Sequence, residues 1–296
     1  MLDGYQEFRQ DGWRGVARRG LEMPRARLDE WLPLLKSPPQ WRHEARSIAL
    51  VGREGDAWFV KRTWGLGERP KAPLAALKWL LRPARALEVW RISCAMEAAG
   101  VGCAPVLLAA RRRNWRRLGW PEEVVIMGGV PGVKLRDALL AAAEDETRRR
   151  EVLAFALRQL ASLHQAGFVH GDCNLQNMFL EEAAGRAHFI DNDRTRHLRS
   201  GEREGIRRNL VQLGFHLQNR LLLDAAGWED AFPVYAAAAG WGRERAAEEL
   251  AWNRRAIAER LKREPPRALP TAFPAPMVNE WSALSAAAVG APAGIS

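Results

Sequence analysis

The segment FVHGDCNLQNMFL, residues 168–180, constrains the fold of this chain more than any other part of its sequence. It places a histidine, an aspartate and an asparagine at fixed offsets (His170, Asp172 and Asn177) between two apolar runs. A long helical pattern, RREVLAFALRQLASLHQAG, precedes these residues, and a strand-like pattern, MFL, ends the segment. One interpretation is a helix end with polar caps, which accounts for Asp172 and Asn174 but not for the whole set. The other interpretation is a catalytic loop, which requires further groups elsewhere in the chain.

A second polar position follows after a short turn. The sequence EEAAGR predicts a turn, and AHFID predicts a short strand that pairs with MFL and ends at Asp191. Such a hairpin would bring Asn177 and Asp191 close to each other. An amide oxygen and a carboxylate oxygen can together hold one hard cation. The pair is therefore a candidate metal site.

The N-terminal part offers a cation for phosphate groups. The sequence RSIALVGREGDAWFVKRTW predicts a hairpin with strands at 48–51 and 57–61, so Lys61 ends a rigid element. A surface lysine is the alternative interpretation of that position. The next segment, RALEVWRISCAMEAAGVG, predicts a helix that stops at its glycine. Either Glu88 or Glu97 on this helix could pair with Lys61, or both could belong to a solvated helix face.

The order of these patterns predicts an α+β fold with two lobes. Residues 46–127 would form a small β-rich lobe with one helix, and residues 128–264, which begin with GGVPG, a mainly helical lobe. The only clear β feature of the helical lobe is the hairpin, and a cleft is expected between the lobes. Residues 1–45 are assigned to an N-terminal extension with a short helix at RLDEWLPLL. The Pro- and Ala-rich tail, 265–296, is expected to be mostly unstructured.

The net charge and the cysteine content indicate the kind of partner and the cellular compartment of the protein. The chain has 45 Lys and Arg against 35 Asp and Glu, a net charge of +10 that favours an anionic partner. The three cysteines (Cys94, Cys103 and Cys173) are too few for a disulfide framework and lack zinc-site spacing, which fits a reducing compartment. No window approaches the ~18 apolar residues of a membrane span. We therefore expect a cytoplasmic protein, which could rest on a membrane without crossing it.

The candidate residues match the needs of phosphoryl transfer. That reaction requires a cation on the nucleotide phosphates, oxygen ligands for Mg²⁺ and an acceptor for the proton of the attacking hydroxyl. Lys61 is the candidate cation, and Asp172 is the candidate proton acceptor. Asn177 and Asp191 are the candidate metal ligands. These roles point to ATP and Mg²⁺ as cofactors.

The text LHQAGFVHGDCNLQNMFL…HFIDNDR resembles the catalytic and metal-binding loops of the protein-kinase-like phosphotransferases. The template H-R-D-L-x-x-x-N is met by His170, Asp172 and Asn177, with Gly171 in place of the arginine. Asp191 stands where the D-F-G motif has its metal-binding aspartate, although N-D follows it here. The H-G-D and I-D-N-D-R forms are typical of enzymes that phosphorylate small molecules and sugars.

Within that superfamily the chain most resembles the lipopolysaccharide core kinases, which phosphorylate heptose or Kdo of the inner core. The segments RPARALEVWRISCAMEAAGVGCAPVLLAARRR, IDNDRTR and RRNLVQL carry this resemblance, which extends from about Ser47 to Arg220. It implies that ATP binds with its adenine against the hinge after Met127, and that Lys61 contacts the phosphates with Glu88 as its partner. It also implies a lipid-anchored sugar as the acceptor.

Two motifs of protein kinases are missing from the sequence. No G-x-G-x-x-G is present, and the turn GREGD directly precedes the lysine strand, which is the wrong place for a phosphate-covering loop. That loop would lie earlier, near SPPQWRHEAR, which lacks glycine. There is also no A-P-E segment, as expected if the substrate is not a protein.

Parts of the sequence also fit other functions. The 13 tryptophans and the basic charge could indicate nucleic-acid binding, but no nucleic-acid module is recognisable and no such partner is expected. The segment RPKAPLAALKWLLRPAR fits either an interfacial element beside anionic lipid or a packed helix with a basic face. The alternative enzyme is a soluble aminoglycoside- or choline-type kinase. A pseudokinase scaffold is less consistent with the sequence, because none of the four candidate site residues is missing.

Overall fold

The computed structural model describes residues 4–10, 12–21, 46–51, 58–64, 84–114, 120–220 and 222–266. Several predictions concern residues outside these ranges and stay predictions. They are the helix at RLDEWLPLL, most of the candidate phosphate-covering loop, the hairpin turn GREGD, most of the basic segment RPKAPLAALKWLLRPAR, and the tail beyond residue 266.

The chain divides into two compact units. The described residues of Met1–Cys94 and Pro105–Gly129 belong to the first unit, and those of Ala95–Ala104 and Val130–Thr271 to the second. The first is rich in strands and the second is mainly helical. This arrangement confirms the predicted α+β, protein-kinase-like fold class.

The first unit is built on an antiparallel six-stranded sheet, whose strands are β1 (Tyr5–Gln10), β2 (Trp13–Arg18), β3 (Arg46–Val51), β4 (Trp58–Trp64), β6 (Val106–Asn114) and β7 (Trp120–Gly128). The strand order in the sheet is β1-β2-β6-β7-β4-β3. One helix, α1 (Arg85–Ala98), accompanies the sheet along the chain. The predicted hairpin of the lysine strand corresponds to β3 and β4.

Side chains alternate between the two faces of this sheet. On one face, Val16, Ala109 and Val125 pack with Val89 and Trp90 of α1. On the other face a separate cluster forms, whose buried members are Trp13, Ala17, Val60, Leu108, Ala110, Val124 and Ile126. The sheet therefore has an apolar cluster on each face, and α1 covers one of them.

Two features of the first unit differ from the sequence prediction. Residues 1–45 were assigned to an extension, but β1 and β2 lie in the same sheet as the lysine strand. In addition, β4 does not end at Lys61 but continues to Trp64, paired with β7. Arg62, on this additional part of the strand, forms an ion pair with Glu122, and Glu122 also binds Arg112. The two arginines thus compensate the charge of the buried Glu122 carboxylate.

The second unit consists mainly of five helices in its described part. They are α2 (Leu135–Ala141), α3 (Glu146–Gln165), α4 (Glu204–Asn219), α5 (Ala225–Ala238) and α6 (Arg243–Arg263). Helix α3 begins where the Asp145 side chain accepts a hydrogen bond from the Arg148 N–H, at 2.9 Å. It buries an apolar face at helical spacing. No helix in the described residues is long and apolar enough to cross a membrane.

Short strands join the predicted hairpin. The predicted hairpin is present and consists of β10 (Met178–Glu181) and β11 (Arg186–Phe189), but β11 ends two residues before Asp191 instead of at it. Two-residue strands flank it: β5 (Gly102–Cys103) pairs with β11, and β8 (Val133–Lys134) pairs with β10. A separate pair is formed by β9 (Phe168–Val169) and β12 (Arg196–His197). The sequence did not predict these four, because two residues are too few to show a periodicity.

Candidate active site

The hairpin of the second unit brings the polar segments together at one end. Asp172 lies in the loop between β9 and β10, and Asn177 directly precedes β10. The ladder of the hairpin ends with Met178 opposite Phe189, and beyond it the Ile190 N–H donates to the Asn177 carbonyl at 3.0 Å. Asp191 is the next residue. The backbone thus places Asn177 and Asp191 at the same open end of the hairpin.

The carboxylate of Asp172 is oriented by two amide side chains. Its Oδ2 accepts hydrogen bonds from Asn174 Nδ2 at 2.9 Å and from Asn177 Nδ2 at 3.3 Å. The Asn177 Nδ2 also donates to the Asp172 carbonyl at 2.9 Å. Since both bonds use the amide nitrogen, Asn177 Oδ1 is left without a hydrogen-bond partner within the described part of the chain. An oxygen held in this way is suited to a hard cation.

His170 links the two loops as a neutral side chain. Its Nδ1 accepts a hydrogen bond from the Asp172 backbone N–H at 3.2 Å, so the ring proton is on Nε2. Nε2 then donates to the Ile190 carbonyl at 2.9 Å, directly before Asp191. Burial lowers the pKa of His170, which is only 2% exposed. The histidine of the motif therefore positions the loops and does not carry charge.

The residues around Asp191 explain the departure from D-F-G. Asp191 has φ 59°, and it is the only non-glycine residue with positive φ in the described part. Aspartate tolerates this left-handed conformation better than most residues do. The buried Asn192 donates to the Phe189 carbonyl at 3.2 Å and accepts from the Thr195 hydroxyl at 3.1 Å. An asparagine after Asp191 thus closes the turn with its own side chain.

A buried hydrogen-bond network binds the backbone of the loop at His170. Asn209 of α4 accepts from the His170 backbone N–H at 2.9 Å and donates to its carbonyl at 2.7 Å. The Asn209 Oδ1 also accepts from His164 Nε2 at 3.0 Å. His164 Nδ1 in turn accepts from the Tyr235 hydroxyl at 2.7 Å. Helices α3, α4 and α5 therefore converge on one backbone unit of the loop.

This network predicts a pH-dependent stability. Burial, opposed by the hydrogen bond to Asn209, lowers the pKa of His164 to about 4, whereas an unfolded histidine has a pKa of ~6.5. Protons then bind the unfolded chain preferentially between these values, so stability should fall as the pH drops from 6.5 to 4. The contribution of His164 is roughly 3 kcal/mol over that range, with a change in the same direction from His170.

Urea unfolding at pH 7.5 and pH 5.0 and constant ionic strength measures this effect. The His164→Gln variant should be less stable at pH 7.5, but its free energy of unfolding should change less between the two pH values. An equal pH dependence in both proteins would contradict the assignment.

Cys173 is beside the candidate base but is not a nucleophile. It is 2% exposed, and burial, assisted by the negative charge of Asp172, raises the pKa of its thiol to about 12. A thiol that stays protonated does not attack or bind a metal. Cys173 is therefore a packing residue of this loop.

The remaining predicted residues lie in or next to the first unit. Lys61 is half-buried and lies opposite Val125, on the face of the sheet that packs against α1. Glu88 is half-buried in the first turn of α1, whereas Glu97 is exposed near its end and belongs to the second unit. Met127 is near the end of β7, partly buried against the cluster under α1.

The ligand set for a metal is small. The described residues contain no cluster of three or more His, Cys, Asp or Glu side chains able to hold a metal ion. Mg²⁺ does not require such a cluster, because it commonly uses one or two carboxylates and takes its other ligands from water and substrate phosphates. The pair Asn177 and Asp191 fits that mode of binding.

Sequence reasoning missed the supporting residues His164, Asn209 and Tyr235. Asn209 and His164 are polar positions in otherwise amphipathic helical patterns, and each has at least one apolar neighbour in sequence. Both are nevertheless buried, as is Tyr235. A polar residue on the apolar stripe of a helix was the available signal, since a buried polar group requires a hydrogen-bond partner.

Fold and motif geometry together define a protein-kinase-like phosphotransferase: a β-rich first unit with a strand lysine, and a helical second unit with the H-x-D-x-x-x-x-N loop next to a hairpin aspartate. More specifically, residues 52–235 match the model of the Lipopolysaccharide kinase (Kdo/WaaP) family. This match covers more than half of the chain, which therefore belongs to that family and is an ATP-dependent phosphotransferase.

Two similar proteins illustrate the relationship. The solved structure of WaaP in complex with acyl carrier protein has a TM-score of 0.55 and 17% sequence identity, and the match covers 81% of this chain and 97% of that one. That likeness concerns the fold. The KEOPS complex subunit Bud32 of Pyrococcus abyssi is 37% identical over 68 residues, 23% of this chain and 29% of that protein. The chain therefore matches less than a third of the length of that relative.

Proposed function

We propose that this protein transfers the γ-phosphoryl group of ATP, with Mg²⁺, to a sugar hydroxyl of the lipopolysaccharide inner core, on heptose or Kdo. The observation that carries the proposal is the arrangement of Asp172, Asn177 and Asp191 around the open end of the β10–β11 hairpin. It occurs in a chain that belongs to the lipopolysaccharide kinase family. Family membership favours a sugar of the lipopolysaccharide core as the acceptor, and the residues around the hairpin support phosphoryl transfer as the reaction.

In the proposed reaction, Asp172 accepts the proton of the attacking hydroxyl. Its carboxylate is held by two amide N–H groups, so it presents a fixed oxygen to the acceptor. The acceptor oxygen forms a bond to the γ-phosphorus while the bond to the β-phosphate oxygen breaks, and ADP leaves. The protein contributes mainly position and electrostatic stabilisation, as is usual for phosphoryl transfer.

The other proposed roles concern ATP. Asn177 and Asp191 are the proposed Mg²⁺ ligands, and the cation would neutralise charge on the phosphates when bound. Lys61 is proposed to contact the α- and β-phosphates, with Glu88 as the preferred partner because both are half-buried in the first unit. The adenine is proposed to lie against the segment that follows Met127.

The proposed acceptor is a lipid-anchored sugar at the inner face of the cytoplasmic membrane. The net charge of +10 would favour peripheral contact with an anionic membrane surface. No nucleic-acid partner is proposed. Since WaaP has been solved with acyl carrier protein, a protein partner is a further proposal, and the same charge favours an acidic one.

Transfer of labelled phosphate from ATP tests this proposal against the alternatives. The acceptors are dephosphorylated lipopolysaccharide core, a panel of aminoglycosides, and choline, each with and without Mg²⁺. We expect Mg²⁺-dependent label in the core lipid. Label in an aminoglycoside or choline instead would assign the chain to the soluble small-molecule kinases. No transfer to any acceptor by a protein that still binds ATP would favour a non-catalytic scaffold.

A further inference from the structure

One face of α4 begins at the loop that carries Asp172 and continues toward the C-terminal end of the helix. Asn209, Gln212, His216 and Arg220 are spaced by three, four and four residues, which places them on one side of the helix. The first two bind the loop directly. Asn209 accepts from the His170 N–H at 2.9 Å, and Gln212 Oε1 accepts from the Cys173 N–H at 3.3 Å. His216 follows Gln212 by about one turn, or ~5.4 Å.

The outer part of this face is cationic. Helix α6 packs against α4 and adds Arg260, whose guanidinium carbon lies 3.8 Å from the centre of the Phe215 ring. The pKa of His216 is lowered by burial, then by the positive charge of Arg260, and also by Arg220; the carboxylates of Asp172 and Glu264 act in the opposite direction. His216, Arg220 and Arg260 therefore share one electrostatic neighbourhood with the proposed catalytic base. We call these three residues the α4–α6 cationic cluster.

The positive charge of the cluster has little compensation from acidic side chains in the described part of the chain. Within residues 4–266 as far as the structure describes them, Glu264 is the only carboxylate that binds the cluster, through a 3.4 Å contact with Arg260 Nε, and the Glu264 side chain is 60% exposed. Arg220 is half-buried and has no acidic partner among the described residues. A partly buried guanidinium is unfavourable unless an anion accompanies it. The cluster thus has the composition of an anion site.

We infer that the α4–α6 cationic cluster binds a phosphate or carboxylate group carried by the acceptor sugar, and so holds the acceptor hydroxyl at Asp172. Guanidinium groups bind both anions through paired N–H donors, and the neutral imidazole of His216 can add a third donor. This inference rests on the proposed function and goes beyond it, because it specifies an anionic group near the reacting hydroxyl. It assigns acceptor specificity to His216, Arg220 and Arg260.

A binding measurement tests the cluster without turnover. The His216 ring is titrated by NMR with increasing inorganic phosphate, with chloride at equal ionic strength as the reference. A bound anion should raise the pKa of His216, whereas chloride should not. The shift should disappear in Arg220→Gln and persist in the matched control Arg208→Gln, since Arg208 is exposed on the same helix. The absence of a phosphate-specific shift in the wild type would overturn the inference.

Kinetics with modified acceptors identifies which anion is recognised. Arg220→Gln should raise the KM for the intact acceptor roughly 10- to 100-fold, with kcat and the KM for ATP nearly unchanged. Arg260→Lys, which retains charge, should show a smaller increase. The increase in KM caused by Arg220→Gln should disappear with one of two modified acceptors, either one stripped of phosphate or one whose carboxyl groups are reduced. The modification that abolishes the increase identifies the anionic group that the cluster binds. An equal penalty on intact and on fully neutral acceptors would show a structural role and overturn the inference.

Different results would contradict the proposed function and the inferred acceptor site. If the wild-type protein transfers no phosphate to lipopolysaccharide core, the proposed function fails, whatever the phosphate titration shows. If transfer occurs but Arg220→Gln leaves the acceptor KM unchanged, the function stands and the cluster is not the acceptor site.

Discussion

Replacing Asp172 by asparagine is expected to lower kcat at least ~10²-fold while leaving ATP affinity nearly intact. Asparagine has the same shape and retains an oxygen that can accept from Asn174 and Asn177, so the loop should keep its conformation. An amide cannot, however, take the proton of the attacking hydroxyl. Steady-state phosphate transfer gives kcat, and equilibrium binding of a fluorescent ATP analogue gives the affinity.

Asp191→Asn is the matched variant for this measurement. It makes the same chemical change at the other end of the hairpin, and asparagine also tolerates the left-handed conformation of residue 191. We expect it to weaken Mg²⁺-dependent ATP binding, which Asp172→Asn should leave unchanged. If Asp172→Asn loses nucleotide affinity as strongly as Asp191→Asn, then Asp172 is not a general base.

The sequence was sufficient to predict the hairpin and the positions of its polar residues. The segment 168–191 is continuous, and its turn and strand patterns are set by neighbours in sequence. The observed register, with Met178 opposite Phe189, follows from the short EEAAGR connection. The α+β order of the two units was predictable for the same reason, because local periodicity determines the type of each element.

Long-range pairings were not predictable in this way. The Tyr235–His164 hydrogen bond joins residues 71 positions apart, and the Asn209–His170 bonds span 39. The β1–β2 hairpin was assigned to an extension because nothing local shows that β2 pairs with β6, about 95 residues later. Such contacts depend on tertiary packing, on which a pattern of single residues carries no information. The sequence therefore located the candidate site residues better than it located the residues that hold them.

Gly171 differs from the protein-kinase template, which has arginine at this position, and the structure gives a steric reason for the glycine. In the structure, a Cβ placed on Gly171 would lie only 2.6 Å from Arg194 Cα and closer still to the Arg194 Cβ. Backbone atoms cannot move away as a flexible side chain can, so the loop and the segment after Asp191 approach each other only because residue 171 has no side chain.

Gly171→Ala is therefore expected to lower kcat by ~10²-fold or more, since a displacement of ~1 Å at a reacting group can cost that much. The strain should also reduce stability by about 1–3 kcal/mol. Because the displaced segment carries Asp191 as well as facing Asp172, Mg²⁺-dependent ATP affinity should fall together with kcat. This double loss distinguishes the variant from Asp172→Asn, in which affinity is retained.

Gly242→Ala is the control, because residue 242 has φ −67° and no atom within 4 Å of an added Cβ. It should leave both kcat and ATP affinity unchanged. Thermal unfolding of each variant separates a local displacement from loss of the fold. A Gly171→Ala protein with wild-type kcat would mean that the two loops can separate without consequence. The contact between Gly171 and Arg194 would then not determine the position of the proposed base, and the glycine of H-G-D would need another explanation.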